Sequence, residues 1–206
     1  MARAATAVAG DRTPSGRRRS SGDARERLLR AALSRFDADG ALAARLEDIR
    51  AQAGVSVGAL YHHFPDKAAL ADALHLELTE AFQGGFLAEL RSHAGAEEGV
   101  KGGVDFYLRW VSANRSGAAF LLAGRPTSDA LRERNRAFFA DAMGWWQTHV
   151  HYGVLRELPF DVINALWLGA AQEYTRHWVA GRARRVPSEV AGVLADAAWA
   201  TLKETT

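Results

Sequence analysis

Residues 46–64 read L-E-D-I-R-A-Q-A-G-V-S-V-G-A-L-Y-H-H-F, and no other stretch of this chain limits its fold so sharply. Wound as two short helices, it puts Leu46, Ile49, Ala53 and Leu60 on one face, so both halves have a common apolar seam to bury. Gly54 stands where the first helix must stop in a left-handed conformation, which glycine adopts without steric cost. Val55 is placed to plug the apolar centre, and Ser56 to accept a hydrogen bond from the free N–H groups that open the second helix. Two short helices joined by a glycine-containing turn of about three to four residues leave the second helix free to enter a major groove. The segment reads as a helix-turn-helix over residues 45–64, which makes double-stranded DNA the expected partner.

Charge supports that reading once it is divided. Residues 1–67 hold 12 Lys/Arg against 8 Asp/Glu, whereas residues 68–206 hold 14 against 16. The basic excess therefore lies in the part of the chain that carries the helix-turn-helix, as phosphate attraction would require. With 48% hydrophobic and 9% aromatic residues the 206-residue chain has the composition of a globular protein. It contains no cysteine, which excludes disulfides, zinc-thiolate sites and thiol catalysis. There is no apolar run of about 18 residues to span a membrane, and no apolar core behind the N-terminal arginines to make a secretory signal. A soluble cytoplasmic protein is expected, with no cofactor and no membrane partner.

Along the chain every periodic segment reads as helix. Residues 1–21 are rich in Ala, Gly, Ser, Thr and Arg, with Arg17-Arg18-Arg19 in sequence, and read as a disordered basic arm. Two readings stand for it: a solvated tail, or an arm that strengthens DNA binding through phosphates or a minor groove. A first helix is predicted from about Asp23, its cap, to Ala38, with Leu28, Leu29, Ala32, Leu33 and Phe36 as its stripe and Gly40 as its stop. A long helix starts near Lys67 and runs to about His93, carrying Leu70, Leu74, Leu78, Phe82 and Phe86. Beyond it, helices are predicted over 97–113, 115–124, 126–151, 160–180 and 188–203, punctuated by Gly95, Gly99, Pro126, Pro159 and Pro187. The expected fold is all-α: a three-helix helix-turn-helix head over 22–82 and a larger helical bundle over 83–206.

The runs R-E-R-L-L-R-A-A-L-S-R-F-D-A-D-G and L-E-D-I-R-A-Q-A-G-V-S-V-G-A-L-Y-H-H-F-P-D-K-A-A-L strongly resemble the TetR family of bacterial transcriptional regulators. The close resemblance covers about residues 22–82. It implies a repressor that binds a palindromic operator as a homodimer and leaves DNA when a small, largely apolar or aromatic molecule enters the body. It also implies DNA-contact positions. Arg45 stands where the family usually has Ser or Thr; it can bind phosphate but cannot cap. Ala44 replaces a common Thr. Arg50 stands where the family favours Ala, and is expected to reach solvent or DNA. Ser56, Val57 and Gly58 open the recognition helix; Val57 is suited to a thymine methyl, and Gly58 permits close approach. Tyr61, His62 and Lys67 match positions that contact phosphate or bases. Phe64 reads as core, His63 as packing and cap.

All six tryptophans lie beyond residue 109. Trp110, Trp145, Trp146, Trp167 and Trp178, with Gln172 and Tyr174, are the expected lining of a ligand pocket, set against ordinary core packing as the other reading. Gln147, Asn164, Glu173 and His177 are further polar groups able to turn inward. Glu173 and His177 share a helix face; they pair structurally, line the pocket or lie at the dimer interface. The last two helices are the expected dimer surface, where Ala191, Ala195, Ala198 and Ala200 allow close approach.

An enzyme is the rival class. His149 and His151 fall on different sides of a helix and make a poor metal pair. No His-Glu-x-x-His, G-x-S-x-G or phosphate-loop pattern is present. Asp72 and His75 share a face, with surface pairing expected. No catalysis is expected, and the alternative kept is a ligand-independent helix-turn-helix regulator or adaptor.

Overall fold

The computed structural model describes residues 14–40, 43–124 and 128–205, with side chains from residue 22 onward. Among these, nine α-helices follow one another: α1 (Pro14–Asp39), α2 (Leu46–Ala53), α3 (Val57–His63), α4 (Lys67–Ser92), α5 (Ala96–Ala113), α6 (Arg115–Ala123), α7 (Asp129–His151), α8 (Phe160–Val179) and α9 (Ala191–Leu202), the last preceded by a 3-10 turn at Pro187–Val190. The all-α expectation holds.

The start of the first helix differs from the sequence reading. Helix α1 begins at Pro14, not near Asp23, so the backbone carrying Arg17-Arg18-Arg19 is helical and not part of an arm. Proline suits a first helical turn and arginine is a good helix former. Asp23 then caps nothing and lies 3.7 Å from Arg27 instead. Residues 1–13 of the expected arm, and the expected start of a helix at 126, lie outside the described residues.

Two cores form. In the head, α1 contributes Leu28, Leu29, Ala32 and Phe36, and α2 and α3 bring Ile49, Ala53 and Leu60. Leu70 and Leu74 of α4 close that core, while Phe86, Leu87 and Leu90, farther along α4, belong to the core of the body. One unbroken helix thus serves both halves. Helix α6 makes a second link. Phe120 stacks on Phe36 of α1 with ring centroids 5.5 Å apart and planes 9° from parallel. Ser116 Oγ donates to Asp37 Oδ2 at 2.8 Å.

In the body, α5 is the central helix, and its glycines let neighbours come close. A Cβ on Gly103 would meet Trp167 Cζ2 at 3.0 Å and Phe86 Cζ at 3.1 Å. The alanines of α9 take a different part from the one expected. Ala191, Ala195 and Ala198 are buried in the chain's own core, where small side chains bring α9 against α5; of the four expected at a dimer surface, only Ala200 is exposed.

Candidate nucleic-acid interface

The geometry of the head begins at the turn. Gly54 sits at φ 64°, ψ 37°, the left-handed state foreseen for it. Its N–H donates to Ala51 O at 3.1 Å, and the Val55 N–H reaches back to Arg50 O at 3.4 Å. This pair of bonds is the Schellman arrangement, which satisfies carbonyls left over at a helix end. Val55 is buried, as its plugging role requires. Ser56 Oγ accepts from Ala59 N at 3.1 Å and caps α3. Asp66 Oδ1 does the same for α4, accepting from Ala69 N at 2.7 Å.

Arg50, expected to reach solvent or DNA, is half-buried and engaged with its own turn. Its Nη1 donates to Val55 O at 2.7 Å, and its Nε to Glu47 Oε1 at 2.8 Å, with Nη2 on the same oxygen. Arg50 and Val55 therefore hold one another through both main chain and side chain. The hydrogen bond from Arg50 holds the Glu47 carboxyl below its ordinary range. From the other side Arg27 Nη1 donates to Gly54 O at 3.4 Å. Two guanidinium groups thus fasten consecutive carbonyls of the turn. A basic residue in the last turn of a helix is placed to bond that helix's final carbonyls, whereas the bond made here goes to a carbonyl beyond them, so the sequence did not single it out.

What the turn presents is α3. Val57 and Tyr61 are 52% and 55% exposed, unusually high for large apolar side chains. Gly58 and His62 are exposed beside them, so Val57, Gly58, Tyr61 and His62 form an outward face. The opposite face is anchored by Leu60, with Phe64 following it into the core. His63 is half-buried and packs its ring 6.2 Å from Phe64. Arg45, at the start of α2, is exposed, and its side chain makes no capping bond. Lys67 is half-buried and donates to Ala44 O at 3.1 Å, tying the start of α4 to the entry of α2.

The expected ligand residues divide. A cavity of about 30 Å³ in the body is lined by Phe86, Phe138, Trp146, Ile163, Trp167 and neighbours, with Asn164 as its polar side chain. Trp145 lies behind it, stacked on Trp167 at 5.8 Å. The other four do not line it. Trp110 packs edge-on to Phe82 at 5.3 Å, and Trp178 lies under the guanidinium of Arg115 at 5.4 Å. Tyr174 OH donates to Arg185 O at 3.0 Å, and Gln172 is half-buried elsewhere on α8. Gln147 is exposed. Glu173 and His177 pair at 3.1 Å on an exposed face of α8.

His75 is not the surface partner that sequence suggested. It is half-buried on α4, against Phe120 and the Gly124 region of α6. Burial pushes its imidazole below the ordinary value, opposed by its own backbone hydrogen bond and by Asp72. The folded chain then binds fewer protons here than the unfolded chain, so stability rises with pH. This contribution is whole above about pH 7 and is lost as pH falls through the ordinary histidine value of about 6.5 toward the lowered one. Thermal unfolding should show Tm falling across that window, with a shallower fall in His75→Gln. His63 and His149 are also lowered by burial, so the variant removes only one share of the slope.

An exposed short helix, capped and clamped at the end of a glycine turn on a three-helix head, defines a helix-turn-helix DNA-binding protein. Residues 28–74 match the family described as Bacterial regulatory proteins, tetR family. Solved structures share the fold over nearly the whole chain. A TetR family transcription regulator from Marinobacter aquaeolei VT8 superposes with a TM-score of 0.78 at 16% identity, covering 91% of this chain and 100% of that one. A bacterial regulatory protein in the tetR family from Rhodococcus RHA1 gives 0.70 at 21% identity, covering 89% and 98%. The transcriptional regulator FadR from Bacillus subtilis, in complex with stearoyl-CoA, gives 0.73 at 16% identity, covering 84% and 96%. No curated protein matches. Residues 28–74 thus carry the sequence of the tetR family, and the chain has the fold of solved TetR family regulators. No helix among the described residues is long and apolar enough to cross a membrane.

Proposed function

We propose that this regulator represses transcription by binding a palindromic operator as a homodimer, and that a small apolar or aromatic molecule entering the body releases it. The outward face of α3 carries the reading. Tyr61 and His62 meet backbone or base edges, Val57 and Gly58 come closest to the bases, and Arg45 and Lys67 flank the helix with positive charge. Phosphate contacts set register, while base edges supply sequence.

An apolar face on α8 and α9 supports the dimer. Val162, Leu166 and Val193 are exposed, the last at 74%, among exposed Ala165, Ala170, Ala197 and Ala200. Covering that face with a second copy sets two copies of α3 about 34–36 Å apart, one turn of DNA. The link between body and head through α4 and α6 supports the release. An effector that binds better to a spacing unfit for DNA shifts the population away from it. The FadR structure holding stearoyl-CoA supports a body of this fold as a small-molecule receptor.

Selection from a random-sequence duplex library should enrich a palindrome with half-sites about 10 bp apart, centre to centre. Enrichment of no sequence would overturn the operator reading. On the selected site, Arg45→Ala should lower the slope of log affinity against log salt by about one per head, and Tyr61→Ala should weaken binding across sequences with that slope unchanged. Unaltered gel-shift affinity in both variants removes these residues from the interface.

A further inference from the structure

The buried polar side chains among the described residues are Thr79, Gln83 and Thr175. Two of them lie on α4, where His75, Thr79 and Gln83 follow at four-residue intervals and so share one helix face. His75 Nδ1 lies 3.3 Å from Thr79 Oγ1. One turn on, Gln83 Nε2 donates to Asn135 Oδ1 of α7 at 2.7 Å. The stripe is incompletely satisfied. Gln83 is 4% exposed, yet its Oε1 has no hydrogen-bond partner, and neither has the buried Nε2 of His75. Buried polar atoms are almost always paired, so each such atom asks for an explanation. The aromatic core nearby leaves no such debt: the indole N–H groups of Trp146 and Trp167 find the carbonyls of Arg156 and Val100.

The two regions adjoin. One turn beyond Gln83 and Asn135 on the same pair of helices, Phe86 and Phe138 meet at 5.8 Å and wall the cavity. That cavity holds at most about one water, far below the roughly 300 Å³ of a ligand site, so an occupant has to displace rings. Movement of Phe86 and Phe138 would open the cavity onto the amide pair.

We propose that Gln83 and Asn135 form the polar subsite of the effector pocket, and that the effector is an uncharged amphipathic molecule whose hydroxyl or amide head donates to Gln83 Oε1 while its apolar body replaces the cavity's rings. The inference rests on the reading that the body receives an effector, and adds its chemical class. The unpartnered oxygen requires a donor. A hydroxyl or primary amide supplies one; a carboxylate has no hydrogen to give Gln83.

The test uses the full chain with decanamide, decanoate and naphthalene, read by intrinsic tryptophan fluorescence, since Trp146 and Trp167 line the cavity. Decanamide should bind at least tenfold more tightly than decanoate. Gln83→Leu should lose at least tenfold in decanamide affinity and leave naphthalene unchanged. A purely structural glutamine would leave the probes' ranking unaltered in the variant. Equal decanamide binding by both proteins, decanoate outbinding decanamide, or no fluorescence response to any probe overturns the inference. Gel shifts separate the two readings. Decanamide that binds as described without displacing DNA leaves the subsite standing and sinks release by effector; displacement by naphthalene alone does the reverse.

Discussion

Trp167→Ala is expected to cost about 3–5 kcal/mol of stability, the range for emptying a large aromatic from a packed core. The indole is 6% exposed and touches the rings of Phe86, Trp145 and Trp146 at 5.5–5.8 Å between centroids. Its N–H donates to Val100 O at 2.9 Å, fastening α8 to α5. Gly103 already yields its side-chain space to this ring, so α5 has no group at that point to fill the hole. For a chain of this length each kcal/mol moves Tm by roughly 2–4 °C, which puts the expected fall at about 6–20 °C. Trp167→Phe keeps most of the packing but drops the N–H, and should cost about 1 kcal/mol for the hydrogen bond plus a smaller cavity term. Urea unfolding of the three proteins checks the order. A Trp167→Ala loss below about 1 kcal/mol would mean that the surroundings collapse onto the site, contrary to the close packing of interiors.

How far the sequence foretold this molecule depends on the range over which each feature is decided. The head was legible because its determinants are local. Gly54 ends α2, Ser56 caps α3 and Asp66 caps α4 through bonds spanning three to five residues. Helical spacing likewise foretold the partition of Ile49 and Leu60 inward. The start of α1 was missed because residues 14–22 have no apolar stripe to report a helix, only residues that tolerate one. The pocket was harder. Trp110, Trp146, Trp167 and Trp178 look alike in sequence, and which of them lines a cavity depends on partners tens of residues away. Trp146 and Trp167 meet across α7 and α8, whereas Trp178 is claimed by Arg115. The alanines of α9 show the same limit: small residues forecast close approach but not to whom, and α5 of the same chain takes three of the four. The polar stripe of α4 went unread because Thr79 and Gln83 are unremarkable until their burial is known.

Arg50→Ala is expected to weaken operator binding by roughly a hundredfold or more, although the side chain is engaged within the turn itself. Hydrogen bonds to a charged group contribute about 1.5–3 kcal/mol each where a buried partner would otherwise be stranded, and less where water replaces them. The carbonyl of Val55 is the former case, being part of a buried residue inside the turn; Glu47 is the latter, at the surface. Without the clamp the angle between α2 and α3 is no longer set, and ordering it has to come out of the binding free energy. In the proposed dimer that loss counts twice, once per head. Arg50→Lys should recover only part, because a single ammonium cannot grip Val55 O and Glu47 in the forked geometry of a guanidinium. Glu47→Gln should be milder, since the Val55 bond survives. Salt dependence decides between positioning and contact. A residue that only sets the turn releases no counterions, so the Arg50→Ala slope should match the parent protein, whereas Arg45→Ala flattens it by about one per head. A flattened slope for Arg50→Ala would place its guanidinium on phosphate after all, as its position in the sequence first suggested.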